Sequence, residues 1–363
     1  MIASGRMSAL RFRGVVLPEG ESRDLYVVDG AVTYEPVASA ELVGEGWIIP
    51  GLVDAHCHVG LGENGAVPDD VSERQALTDR DAGALLLRDC GSATDTSWIH
   101  DRDDLPRLIR AGRHIARTRR YIRNYAHEIE PEDLADYVAR EAEGSDGWVK
   151  LVGDWIERDA GDLAPSWTRS SLDAAMKAAH DRGARVTAHV FGEHALPDLI
   201  GSGIDCIEHG TGLSPDLVDL MVAKDVALVP TAKQLNNFPG YAAAAVQKFP
   251  AYATHMMELF ERRKETIGAA YEAGVAIDAD TDAAGVTPHG LIGDEVVELA
   301  SCGLTPEDAL GAASWRAREW LGLDGSLAEG TPADFVVFDA NPLEDLGVLK
   351  NPKRIVLRGN VVG

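Results

Sequence analysis

Apolar positions along the chain fall into short runs of β-branched and aliphatic residues, separated by stretches whose apolar residues recur every three or four positions. The runs lie at 47–59 (GWIIPGLVDAHCH), 84–89 (ALLLRD), 113–122 (RHIARTRRYI), 147–153 (GWVKLVG), 185–190 (RVTAHV), 204–209 (IDCIEH), 226–232 (VALVPTA) and 275–282 (VAIDADTD). Each reads as a strand, the third least clearly. Among the intervening stretches, TRSSLDAAMKAAHDRG puts Leu172, Ala175, Met176 and Ala179 on one helical face and stops at Gly183. SPDLVDLMVAKD and TPEDALGAASWRAREWLG open with Ser or Thr followed by Pro, the chemistry of an N-cap and first helical position. Eight strands alternating with helices predict an α/β fold, a (β/α)8 TIM barrel.

The two ends follow a different rhythm. Residues 8–34 and 334–361 hold short strands and turns with no helical period between them. They are expected to meet in a small β-sandwich, so that residues 1–50 and 322–363 form one domain and residues 51–321 the barrel. No strict repeat or low-complexity tract interrupts this plan.

Composition narrows the function classes. Hydrophobic residues make up 45% and charged residues 26% of 363 positions, ample for a sizeable core. The formal charge, 34 − 59 = −25, repels phosphate backbones and anionic membrane surfaces. The amino-terminal stretch MIASGRMSALRFRG has no apolar leader core, and no apolar run is long enough to span a bilayer. Cys57, Cys90, Cys206 and Cys302 are far apart and form no CxxC, which fits free thiols in a reducing compartment. The expectation is a cytoplasmic protein that meets a small-molecule substrate and neither nucleic acid nor membrane; a homo-oligomer is left open.

The chemistry concentrates at strand ends. Side chains alternate along a strand, so His56 and His58 point the same way, with Asp54, and Cys57 the opposite way. A lone H-x-H is as readily a pair of packed core histidines. Four other runs, however, carry an ionisable residue at or near the same end: Lys150, His189, His209 and Asp282. That end is where barrel enzymes place their chemistry. Imidazoles and carboxylates suit zinc or a similar divalent ion, and a lysine among apolar neighbours is costly unless paired or modified.

The order H-x-H, Lys, His, His, Asp over successive strands resembles the amidohydrolase superfamily. More narrowly, IIPGLVDAHCH, LLLRDCGS, IEHGTGLSPDLVDLMVAKDVALVPT and EGTPADFVVFDANPLEDL resemble the imidazolonepropionase-like group, which includes prolidase-like Xaa-Pro and Xaa-Arg dipeptidases. The resemblance spans nearly the whole chain. It implies a barrel with a flanking β-sandwich and a binuclear centre of two divalent ions, Zn2+ foremost and Mn2+ or Co2+ as alternatives. By position, His56 and His58 would bind one ion and His189 and His209 the other. Lys150, carboxylated by carbon dioxide, would bridge them, and Asp282 would bind the first ion and transfer protons. Where such sequences read Gly-Thr-Asp, this one reads Asp280-Thr281-Asp282, so a second carboxylate stands beside the expected one. Unmodified, Lys150 would pair with Asp280 or Asp154.

The implied activity is hydrolysis of a carbon–nitrogen bond, amide or peptide, in a small molecule by a hydroxide bridging two metals, with Asp282 as the catalytic proton carrier. The alternative is a deaminase or a cyclic-amidine or lactam hydrolase of the same superfamily. Those often lack the lysine, and Lys150 favours the first reading. A non-catalytic barrel would have lost ligands, and all six are present. Trp155, Lys233, Gln234 and His289 are candidate substrate-binding residues at the strand-end loops. Arg119, Arg120 and Arg123 read as surface charge, Glu193, four residues past His189, as a helix start rather than the acid of a deaminase, and His127, His180, His194 and His255 as ordinary helix or surface histidines.

Overall fold

In a computed structural model, residues 9–363 are described. The first eight residues, which include most of MIASGRMSALRFRG and the start of the segment predicted from residue 8, lie outside them.

The first predicted run is cut in two at Pro50–Gly51. Glu41–Pro50 and Leu52–Cys57 are separate strands in separate sheets. Proline cannot donate to a ladder, and a Cβ on Gly51 would stand 2.6 Å from Leu85 Cδ1, so glycine lets the chain cross between the sheets. From Leu52 to Val229 the strands that carry the predicted runs pair in parallel. Leu52–Cys57 pairs with Ala84–Asp89, which pairs with Arg107–Arg110. Ile115–Arg117 pairs with Trp148–Val152, followed by Arg185–Val190, Cys206–His209 and Ala227–Val229 in order.

Two of the predicted strands differ. In place of one strand at 113–122 there are two short ones, Arg107–Arg110 and Ile115–Arg117, parted at Gly112 (φ 70°). The arginine-rich segment beyond Arg117 turns, with Arg119 and Asn124 at positive φ. The eighth run, 275–282, bridges its neighbours without a ladder of its own. Leu228 N donates to Ala276 O (2.8 Å) and Asp278 N to Leu228 O (3.1 Å) on one side. Ala55 N donates to Ala279 O (2.9 Å) and Asp282 N to His56 O (2.8 Å) on the other. The last run therefore lies between the seventh and the first.

Helix Arg169–His180 buries the four predicted residues, and Thr168 Oγ1 accepts from Ser171 N at 3.2 Å. Pro215–Lys224 begins with proline as expected, but Ser214 makes no side-chain cap. The third predicted helix is two, Pro306–Ala312 and Trp315–Trp320, broken where Ser314 Oγ donates to Pro50 O (2.7 Å).

Strands from both chain ends join in one seven-stranded sheet containing Leu10–Val16, Glu21–Val28, Ala31–Thr33, Glu41–Pro50, Phe335–Phe338, Arg354–Leu357 and Asn360–Val361. Its edge at Ala31–Thr33 turns back onto the segment before Phe335: Val32 N donates to Thr331 O and Ala333 N to Gly30 O, both at 2.9 Å. The two expected layers are thus one sheet rolled around its own core, in which Phe12 and Phe335 meet edge to face at 4.8 Å. No helix among the described residues is long and apolar enough to cross a membrane.

The long helix Pro250–Ala273 is tied to the loop after Arg185–Val190 through charge. His255 Nε2 meets Glu193 Oε2 at 2.9 Å, His255 Nδ1 meets Asp162 Oδ1 at 3.0 Å, and Arg262 pairs with the same glutamate. Glu193 therefore does not start a helix, which begins at Leu196, and His255 is not an ordinary surface histidine. The bond to Glu193 pushes His255 up to about 9 from 6.5, and Glu193 falls to about 2, chiefly through the same bond. A raised folded-state pKa contributes stability that is complete below 6.5 and disappears as pH rises through about 9. His255→Gln should therefore lower the melting temperature at about pH 6 and match the parent by about pH 10. A deficit unchanged across that range would show that packing, not charge, is what His255 contributes.

Candidate metal centre

Strand alternation delivers His56 and His58 together, as their spacing predicts. Both are buried, and their Nε2 atoms stand 3.2 Å apart. Asp282 Oδ1 completes a triangle, 3.4 Å from His56 Nε2 and 3.1 Å from His58 Nε2. The second group lies alongside. His189 Nδ1 is 2.9 Å from His209 Nε2, and Lys150 Nζ is 3.4 Å from His56 Nε2. All six predicted residues are thus drawn to one spot at the strand ends.

Outward partners fix the imidazole tautomers. His58 Nδ1 lies 2.8 Å from the Gly91 carbonyl oxygen, which can only accept, so Nδ1 carries the hydrogen and Nε2 a lone pair. Gly91 (φ 115°) allows this approach, since a Cβ there would fall 2.7 Å from His114 Nδ1. His56 Nδ1 faces Asp280 Oδ2 at 3.4 Å, so Nε2 is the nitrogen turned inward. Thr231 Oγ1 gives its hydrogen to Pro230 O (2.7 Å) and so accepts from His209 Nδ1 (2.7 Å). Burial, then the charge of Lys150, holds His56 well below the ordinary histidine value; burial likewise depresses His189 and His209. Neutral rings with lone pairs aimed inward are the form in which histidine binds a metal.

Three metal-binding atoms, His56 Nε2, His58 Nε2 and Asp282 Oδ1, thus converge within 3.4 Å, and with its hydrogen on Nδ1 His58 turns a lone pair on the Asp282 oxygen. A cation at their centre relieves that repulsion. A buried nitrogen without a partner among the described residues, His189 Nε2, adds to the case. The donor set, imidazole nitrogens and carboxylate oxygens, fits divalent metals of the zinc type.

Asp280 and Asp282 have separate places, Asp280 behind His56 and Asp282 beside both Nε2 atoms. Burial pushes the Asp280 carboxyl well above the carboxylate range, and Thr231 N donates to its Oδ1 at 2.9 Å. Lys150 pairs with neither Asp280 nor Asp154 but with Glu208, fully buried between it and Thr187 (Oγ1 to Glu208 Oε1, 2.8 Å). Asp154 instead accepts from Phe191 N (3.0 Å) and Gly192 N (2.7 Å), fixing the loop that follows His189. Glu208 escapes a period-two reading because alternation sets it opposite His209. The chain evades alternation here by taking His209 to φ 64°; Thr231 (50°) and Asp282 (51°) are bent in the same way. His114 is also missed: completely buried, it stacks on His58 at 5.0 Å between ring centroids.

A cavity of about 450 Å³ opens onto this cluster through His58, His189 and Asp282. Of the predicted substrate-binding residues, Trp155 and Gln234 line it. Lys233 and His289 do not: Lys233 Nζ turns to Asp294 (3.6 Å) and His289 Nδ1 to Asp79 (2.7 Å). Arg120 is not surface charge. It is buried, donating to the carbonyls of Trp155 and Pro165, both at 2.9 Å, and of Ala164.

The chain is 53% identical over 360 residues to an uncharacterized protein of Mycobacterium tuberculosis, covering 99% of this chain and 97% of that one. It is 28% identical over 216 residues to ochratoxinase of Aspergillus niger, 57% of this chain and 43% of that one. The crystal structure of that ochratoxinase superposes with a TM-score of 0.80 at 18% identity, covering 98% and 96% of the two chains. A Xaa-Pro dipeptidase with bound methionine in its active site superposes with a TM-score of 0.82 at 21% identity, covering 98% and 100%. The amidohydrolase family model matches residues 47–362, nearly the entire chain. On that match, this chain belongs to the amidohydrolase family, enzymes that hydrolyse carbon–nitrogen bonds.

Proposed function

We propose that this protein is a cytoplasmic, metal-dependent hydrolase of amide bonds in small molecules, built on a closed (β/α)8 barrel with its β-domain drawn from residues 1–50 and 322–363. The observation that carries this reading is the convergence of His56 Nε2, His58 Nε2 and Asp282 Oδ1, three metal-binding atoms within 3.4 Å of one another in a buried place. His56, His58 and Asp282 would hold one divalent ion and His189 and His209 the second, with Lys150 as its carbamate between them. Zn2+ suits the donors best, and Mn2+ or Co2+ suit them next. Such ions polarise a carbonyl and bring the pKa of bound water towards about 7.

The chain's own residues supply the remaining steps. Asp282, the acid of the cluster that reaches the cavity, takes a proton from the attacking water at Oδ1 and returns it to the leaving nitrogen. One amide and one water become one carboxylic acid and one amine. Asp280, Gly91 and Thr231 keep His56, His58 and His209 in the tautomer that faces inward. Trp155, Phe191 and Tyr121 exclude bulk water from the reacting bond. The deaminase alternative loses its candidate acid, because Glu193 is committed to His255 and Arg262.

Asp282→Asn should cut kcat/KM by about 10²–10⁴-fold, because shape is kept and the proton acceptor lost. Asp280→Asn should cost about 10–100-fold, as for a group that orients a metal-binding histidine. The opposite ranking would move the proton carrier to Asp280.

Lys150→Ala should lose turnover together with one of the two bound ions, and formate or acetate should restore part of both. Full metal content in that variant, or no rescue at any acid concentration, would contradict a bridging carbamate.

A further inference from the structure

The cavity beside the cluster carries information about what is hydrolysed. Its walls are aromatic: Tyr121, Trp155, Phe191, Tyr241, Phe249 and Tyr252 all contribute. Tyr121 and Trp155 meet edge to face at 4.8 Å. Phe191 is backed by Phe238 at 4.8 Å, so this wall is firm. The mouth is apolar too. Ile122 and Val286 line it while 40% and 68% exposed, a placement that costs solvation unless something apolar passes or rests there.

Positive charge is scarce. Among the described lining residues the one lysine or arginine is Lys248, an exposed residue at the rim whose Nζ lies 5.1 Å from the Phe249 ring centroid. The nearby buried guanidinium, Arg120, is consumed by three backbone carbonyls. Lys233 faces Asp294 outside the cavity. A dipeptide carries a carboxylate one carbon from its scissile nitrogen, and this cavity would strip that carboxylate of water with no lysine or arginine inside to receive it. A neutral aromatic group loses nothing on entry and stacks on the walls.

We propose that the substrates are neutral amides bearing an aromatic group, with no carboxylate on the amine side of the scissile bond. This rests on the amide-hydrolase reading above, and the test separates the two. N-benzoyl-phenethylamine and N-benzoyl-L-phenylalanine differ only in one carboxylate. With metal-loaded enzyme, the neutral compound should be cleaved with kcat/KM at least about 100-fold higher. Binding of both compounds to the Asp282→Asn protein, followed by calorimetry, should show the same preference without turnover. Equal or better cleavage of the carboxylate compound would overturn the substrate class and leave the hydrolase reading standing. Selective binding of the neutral compound with cleavage of neither would support the class and count against amide hydrolysis. Binding of neither would overturn the class.

Discussion

The structure depends on an electrostatic conflict at the ends of its parallel strands. Lone pairs of His56 and His58 and the Asp282 carboxylate point at one another in a buried place, where repulsion is weakly screened. A chain built only to fold would fill that position with apolar side chains. This one instead gathers four imidazoles, a lysine and two carboxylates, Glu208 and Asp282, around a point that suits positive charge.

The surrounding fold holds the conflict in place. Hydrogen bonds from His58 to the Gly91 carbonyl and from His209 to Thr231, with Asp280 behind His56, hold the histidines in place. Left-handed backbone at His209, Thr231 and Asp282 aims side chains that regular strands would aim elsewhere. Such strain persists only where neighbouring structure over-determines it. Here the neighbours are deep parallel strands and paired buried groups such as Asp54, which accepts from Thr281 N at 3.0 Å and so steadies the turn into Asp282. Specificity is left to the loops, whose aromatic side chains form a chamber over the reactive cluster.

What the sequence discloses follows from how local each signal is. His56 and His58 are readable because a strand has a period of two, and Lys150, His189 and Asp282 because each lies at or near the end of a strand-like run. The helix Arg169–His180 is readable because its cap and its buried face are both local. Glu208 is hidden because its orientation depends on a positive φ one residue later, which no propensity announces. The third strand is misplaced because its ladder is set by neighbours far away in sequence, while the local pattern favours residues that turn. Lys233 and His289 look like site residues by position alone; their acidic partners, Asp294 and Asp79, are settled by tertiary packing. The order of site residues is thus written along the chain, and the pocket that selects a substrate is not.

The most direct test of the central claim is anomalous diffraction from crystals of the protein loaded with Zn2+, recorded on both sides of the zinc edge. The account predicts two peaks per chain, one within about 2.0–2.2 Å of His56 Nε2, His58 Nε2 and Asp282, the other equally close to His189 and His209. Density for a carboxylated Lys150 should join them. A single peak, peaks away from these atoms, or fully loaded peaks with an unmodified Lys150 still paired to Glu208 would contradict it.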